Sequence, residues 1–526
     1  MRCLHMNRVL ALVGVAGGWL ALSGCLSVGP DYQRPEVDVP AQWQGNATDA
    51  VEGEAKTPSV ALESWWTIFQ DPALEALMAK TRQANLSLAA AWATMESYAA
   101  QLNMERSAFV PSMGANGEAV WDRQTEVVHA RTEYPDNPAW LYQAGFSLQW
   151  ELDVWGRVRR SVEAARGLLD ASLEDWRDAL VSLQAETASQ YIQLRTLQQQ
   201  VAFAEQNLAL QEASVRLTKG RFDAGLTGEL DVHQAEMNLA ATRAQLPQLQ
   251  ADLASTLNAL CLLTAQLPGA LDDLLTPAPV PEPGELPALL PAEVLRQRPD
   301  IRAAERRLAA QTAKIGVARA DFFPKLSLNG SFALATTYSG DFFKEAAQNF
   351  SIGPGLDWSI FTAGKVRNHV KAEEAATRAA LANYRQTVLS AYGECESAMT
   401  TFRCTVQARA ELERAVQSAQ KSVELADTLY RNGLTDFQNV LDMQQQLFNY
   451  QDAYAQSMGS SASRLVAVYK AVGGGWASEA ATVDSKPATV VEAQSAGDVS
   501  EKATAEEKPA VEEAPAGESA TPPPEI

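Results

Sequence analysis

The sequence predicts a mixed α and β chain written twice, with long helices that form a tube and four strands that form part of a transmembrane β-barrel shared between chains. Three observations carry this prediction. Sequence blocks recur at a fixed spacing. Runs of strand length alternate greasy and polar side chains, and an uninterrupted helical period extends over about sixty residues.

The N-terminus comes first. Arg2 and Arg8 precede a short apolar run from Val9 to Ala21, and Leu22-Ser23-Gly24-Cys25 closes it with small residues. Residues 1–24 therefore read as a secretory signal peptide, too short to be a membrane span. The quartet also resembles the bacterial lipobox, which makes Cys25 the expected acyl-bearing N-terminus, a palmitate-type anchor. By the same resemblance, Leu26 rather than Asp implies the outer membrane. A plain signal peptide with an incidental cysteine is the alternative. From 25 to 60 the chain is rich in Pro, with Pro30, Pro35 and Pro40 excluding helix, and reads as an extended lipidated tether.

The first repeat is assigned to 61–276 and the second to 292–476, with a Pro-rich linker at 277–291. Trp155-Gly156-Arg157-Val158-Arg159 returns as Ala363-Gly364-Lys365-Val366-Arg367, and Gly225-Leu226-Thr227 returns as Gly433-Leu434-Thr435, both 208 positions later. Trp150 and Trp358 keep that offset. Phe109-Val110-Pro111 returns slightly shifted as Phe322-Phe323-Pro324. Each copy reads helix, two strands, long helix, turn, helix.

In the first copy Tyr142, Phe146, Leu148, Trp150 and Leu152 alternate with Gln143, Ser147, Gln149 and Glu151. In the second, Leu326, Leu328, Phe332 and Leu334 form one greasy series and Phe350, Ile352, Leu356, Trp358 and Ile360 the other. Each run is about ten residues long, enough to cross a bilayer as a tilted strand. An ordinary half-buried sheet would show the same pattern. The helical stretch from Arg157 to Thr218 carries Val158, Val162, Ala165, Leu169, Trp176 and Leu180 at three- and four-residue steps, with no Pro. At about 1.5 Å per residue it is a rod of roughly 90 Å that must pack on similar rods. A second is expected from Lys365 to about Tyr430, and shorter partners from Leu230 to Leu267 and from Phe437 to Val472.

From 477 to 526 there are eleven acids and three Lys in an Ala, Pro, Ser and Thr background, which predicts a disordered acidic tail. Of the five cysteines, Cys261, Cys395 and Cys404 lie in the body of the chain and read as small buried side chains.

Four strands cannot close a membrane barrel, because the smallest single-chain bacterial barrels have about eight. Open edges cannot face lipid, so several chains must complete the barrel, with the helices projecting into the periplasm as a polar-lined tube. Composition excludes other classes. A net charge of −21, from 43 Lys and Arg against 64 Asp and Glu, argues against nucleic acid. Four His and no Cys-x-x-Cys leave little for a zinc enzyme, and Gly473-Gly474-Gly475 lacks the Lys-Ser/Thr of a phosphate loop. The reading is a non-enzyme without a cofactor.

Taken in order, the lipobox, Trp65-Trp66 with Phe69 and Asp71-Pro72, Arg298-Pro299-Asp300-Ile301-Arg302-Ala303-Ala304-Glu305, the aromatic-Pro entries and the paired Gly-Leu-Thr turns resemble the TolC-like outer-membrane efflux proteins. The likeness is to the lipidated branch that serves RND multidrug efflux pumps. It implies a homotrimer with one shared barrel, and passive export of drugs delivered by an inner-membrane RND transporter through a periplasmic adaptor. It also implies periplasmic tips at Gly225, Leu226, Thr227, Gly433, Leu434 and Thr435, where the adaptor docks. The constricted end falls at Asp442, Gln438 and Tyr430. Gln438 stands where relatives often have an apolar constriction. A gate carboxylate and a solvated helix carboxylate both remain open for Asp442. Two other readings stand beside drug efflux: a type I secretion conduit, and a lipid-anchored coiled-coil scaffold without a pore.

Overall fold

The computed structural model describes residues 27–37, 40, 43, 62–123, 138–284 and 295–476. Cys25, the signal peptide and the acidic tail lie outside the described residues. The chain runs through a short 3-10 helix (Leu62–Phe69), α1 (Pro72–Ala84), α2 (Leu86–Ser107), β1 (Ser112–Asp122), β2 (Ala139–Leu152), α3 (Arg157–Asp223) and α4 (Glu229–Leu263). The second copy follows as α5 (Pro299–Ala320), β3 (Lys325–Thr336), β4 (Gln348–Asp357), α6 (Lys365–Arg431) and α7 (Phe437–Ala471).

The duplication is metric. Helices α3 and α6 are each 67 residues long, and α4 and α7 are each 35. Both pairs start 208 positions apart, at Arg157 and Lys365 and at Glu229 and Phe437. At about 1.5 Å per residue the long helices span roughly 100 Å. Rods of that length hold only by packing: α3 lies against α2 and α5 toward the strands, and against α4 and α7 toward the far tips, while α6 lies against α5 and α7.

Each copy closes in the same way. Asn85 caps α2 by accepting from the Leu88 N–H at 3.0 Å, and its amide donates to the Leu263 carbonyl that ends α4, at 2.8 Å. Arg298 precedes α5, whose first residue is Pro299, and donates to the Ala471 carbonyl that ends α7, at 2.6 Å. The helix-ending carbonyl of each copy is thus met by the residue that opens that copy's strand-ward helix, and the Ala471 carbonyl also accepts from the Cys395 thiol at 3.1 Å. Arg298 adds ion pairs to Asp300 at 2.7 Å and Glu394 at 2.8 Å, and these carboxylates hold its guanidinium charged.

The main core is a belt at mid-height of the rods. Trp65, Leu74, Leu77 and Met78 meet Tyr191, Ile192 and Leu194 of α3, Leu260 and Cys261 of α4, Cys395 and Phe402 of α6, and Leu465 and Tyr469 of α7. Trp65 stacks on Tyr469 with ring centroids 5.5 Å apart. Asp71 caps α1 and accepts the Tyr191 hydroxyl at 2.5 Å; burial and this carboxylate push the phenol up to about 12. The Trp-Trp and Asp-Pro signature is therefore belt architecture.

Two details depart from the sequence reading. Strand β4 ends at Asp357, so Trp358 and Ile360 lie beyond it, because the chain turns there toward α6. Cys261 and Cys395 are buried but Cys404 is exposed, since nine residues on a helix of 3.6 per turn carry it to the opposite face.

Candidate channel wall and helical tips

The four strands form one antiparallel sheet in the order β1-β2-β3-β4. Register decides what each face presents. Phe146 pairs with Ala115 and Phe332, and Phe332 with Phe350, so one row of apolar side chains crosses the whole sheet. The next row is polar or small: Ser147 pairs with Gly114 and Ser331, and Ser331 with Ser351. The Ser331 and Ser351 hydroxyls are 2.8 Å apart and share a hydrogen bond. A slip of one residue in any strand would invert that strand's face, so the segregation specifies the register. Met113, Trp121, Trp140, Phe350, Ile352 and Leu356 stand exposed on or beside the apolar face. The outer edges of β1 and β4 have no strand partner among the described residues.

The entry to each hairpin is pinned identically. The Trp150 indole donates to the Phe109 carbonyl and the Trp358 indole to the Phe322 carbonyl, both at 3.1 Å. Amphipathic rings with one wet end suit a membrane boundary. Among the described residues no helix is long and apolar enough to cross a membrane.

At the other end of the rods, each long helix stops at a glycine. Gly225 has φ +71° and Gly433 φ +72°, the left-handed region that a side chain resists. Leu226 N–H donates to the Arg221 carbonyl at 2.8 Å and Leu434 N–H to the Leu429 carbonyl at 2.9 Å, the six-to-one bond of a Schellman cap. A Cβ on either glycine would meet nothing within 4 Å, so dihedral preference alone demands glycine there. Leu226 and Leu434 project into solvent, 66% and 73% exposed.

The candidate constriction residues gather around these turns. Tyr430, buried against Phe437, donates its hydroxyl to Asp231 of α4 at 3.1 Å. Burial, reinforced by that carboxylate, holds the phenol above its usual range, so it is a donor at neutral pH. Thr227 also donates to Asp231, and Thr435 accepts from the Asn439 amide at 2.7 Å. Arg221 lies over the Tyr430 ring at 4.8 Å and donates to the Arg431 carbonyl at 3.0 Å. A second link runs from the Gln234 amide to Gln438 at 3.4 Å and from the Gln438 amide to Asp442 at 2.8 Å. Gln438 and Asp442 are exposed. The structure thus brings Tyr430 into one cross-copy latch and Gln438 with Asp442 into another.

Arg221 and Asp231 are absent from the candidates read in the sequence. Their signal is an asymmetry between the copies: 208 positions on, Arg221 becomes Leu429, Phe222 becomes Tyr430 and Asp231 becomes Asn439. Arg221 and Tyr430 are polar in one copy only and Asp231 is charged in one copy only, an asymmetry that marks a contact made between copies.

Comparison with known proteins fits this architecture. The family model described as outer membrane efflux protein matches residues 77–266 and 290–474. The solvent efflux pump outer membrane protein SrpC of Pseudomonas putida is 31% identical over 469 residues, covering 87% of this chain and 97% of the relative. The outer membrane protein OprJ of Pseudomonas aeruginosa is 30% identical, over 88% and 96% of the two chains. Among solved structures, the outer-membrane channel OprN superposes with a TM-score of 0.79 at 35% identity, over 86% and 99% of the chains. The open state of the Neisseria gonorrhoeae MtrE outer membrane channel superposes with 0.74 at 26%, over 88% and 99%. With an amphipathic strand sheet, duplicated rods and capped tips all in the arrangement of those channels, the chain belongs to the outer membrane efflux protein family and serves as an outer-membrane efflux channel extending into the periplasm.

Proposed function

We propose that three copies close one barrel above a helical tube, and that the assembly passively exports small toxic compounds handed over by an inner-membrane RND transporter through a periplasmic adaptor. The observation that carries this reading is a four-stranded sheet with one apolar face and two outer edges that have no strand partner among the described residues. Each unpaired backbone group facing lipid costs several kcal/mol, so β4 of one copy must pair with β1 of the next. The polar rows through Ser147, Ser331 and Ser351 then line the bore.

Relatives named for toluene, solvent and antibiotic efflux support a cargo of apolar toxic molecules. Leu226, Thr227, Leu434 and Thr435 are the proposed adaptor contacts, since exposed leucines on rigid caps offer a small apolar surface at the tips. Tyr430, Gln438 and Asp442 form the proposed periplasmic gate, in which three Asp442 carboxylates face one another, repel and attract cations. Cys25 is the proposed lipid anchor.

The test is direct. Deleting the gene should sensitise cells to several unrelated apolar toxicants. The purified protein should be trimeric in detergent and conduct ions in planar bilayers. Monomeric material without conductance would sink the proposal.

A further inference from the structure

The extended segment that follows Cys25 does not hang free. We propose that residues 27–37 are a docked strap, and that a receptor built from Gly156, Arg160, Gly316 and Glu305, rather than the acyl anchor, fixes where the N-terminus sits against the strands.

Two glycines make the crossing. A Cβ on Gly29, whose φ is +107°, would lie 2.5 Å from the Gly316 Cα, and one on Gly316 would lie 2.7 Å from the Val28 carbonyl oxygen. Backbone meets backbone, so nothing can move aside. Arg160, only 4% exposed, locks the crossing from the first copy: its guanidinium donates to the Val28 carbonyl at 3.3 Å, the Gly29 carbonyl at 3.4 Å and Asp31 at 2.7 Å. Glu163 holds the same guanidinium at 2.7 Å. Val28 N–H donates to the Trp155 carbonyl at 3.1 Å, and Ser27 covers Gly156, four positions beyond the end of β2 at Leu152.

Farther along, Arg34 pairs with Glu305 at 3.2 Å, and Tyr32 and Val37 join the cluster of Leu295, Ile301, Leu308 and Tyr384. The lengths agree. Five extended residues from Gly29 to Arg34 reach about 16 Å, and eleven helical residues from Gly316 to Glu305 rise about 16 Å. The strap therefore runs antiparallel to α5 in one register and staples α3 of the first copy to α5 of the second.

A consequence rests on the lipidation reading. Cys25 is two residues from Ser27, within about 7 Å. Its acyl chains would enter the bilayer beside the strand ends, at a depth the receptor dictates.

Chymotrypsin cleavage after Tyr32 in the full-length detergent-solubilised protein tests this, followed by mass spectrometry. Wild type and a Cys25→Ser form exported behind a conventional signal peptide should be cut equally slowly. Gly316→Leu should be cut at least tenfold faster with its lipid intact. Gly29→Val, which alters only the strap, carries the same expectation should Gly316→Leu fail to assemble. Rapid cleavage of Cys25→Ser would show that the acyl chain holds the strap, and slow cleavage of both glycine variants would remove the receptor; either overturns the proposal. The wild-type N-terminal mass reports lipidation independently, so an unacylated N-terminus would fail the anchor reading while leaving the strap comparison intact.

Discussion

Replacing Tyr430 with Phe removes one oxygen from the tip and nothing else. The ring stays between Phe437 and the Arg221 guanidinium, and the 3.1 Å bond to Asp231 is lost. A hydrogen bond to a charged acceptor contributes about 1.5–3 kcal/mol, and Asp231 is partly solvated, so the lower end applies. If this bond is made only in the closed tip, about 1.5 kcal/mol moves the open-to-closed ratio roughly tenfold. Single-channel recordings in planar bilayers measure that ratio as open probability. Asp231→Ala should open the channel at least as much, because it removes the acceptor of both the Tyr430 and the Thr227 hydroxyls. The double variant should fall short of the sum by about 1–2 kcal/mol, the coupling expected of groups in direct contact. Unchanged gating in Tyr430→Phe, or strict additivity in the cycle, would refute the latch.

Three further outcomes follow from the geometry. Gly225→Ala and Gly433→Ala each force a side chain into the left-handed region, costing about 1 kcal/mol, and should weaken resistance in susceptibility assays while leaving the amount of folded protein in the outer membrane unchanged. Asn85→Ala removes the α2 cap and the donor to the Leu263 carbonyl, and thermal unfolding should register a loss of about 1–2 kcal/mol; Arg298→Ala should cost more, because it also strips the ion pairs to Asp300 and Glu394, although the Cys395 thiol still donates to the Ala471 carbonyl. Burial and the neighbouring Asp300 raise the Asp178 carboxyl, against the lowering pull of Arg298 and Lys470. A raised folded-state value means that this group's contribution is fully present below the unfolded carboxyl range and is lost as pH rises through the folded one. Asp178→Asn should therefore be the more stable form at neutral pH and show a flatter melting profile from acid to neutral; a steeper profile would contradict that assignment.

Much of the architecture was written in repetition and period. The spacing of the two Gly-Leu-Thr turns located both long helices, because a glycine at a positive φ is the natural stop for a rod without other breakers. The aromatic-Pro entries located the hairpins, since Pro disfavours helix in the residue before it. The belt was legible only as unexplained signatures: Trp65, Asp71 and Arg298 acquire their meaning from Tyr469, Tyr191 and Ala471, all more than a hundred positions away. Buried polar groups on α3 such as Arg160 and Arg195 were likewise invisible, because a periodicity argument sends charged residues to solvent.

Local chemistry therefore determined the elements: alternation made the strands, helical period made the rods, and small or rigid residues ended them. Tertiary structure alone decided which residues from the two copies meet. The register that segregates the faces of the sheet, the Tyr430–Asp231 latch and the Gly29–Gly316 crossing each join positions far apart in sequence. Short-range preference carries no record of such a partner; only the closing of the fold supplies it.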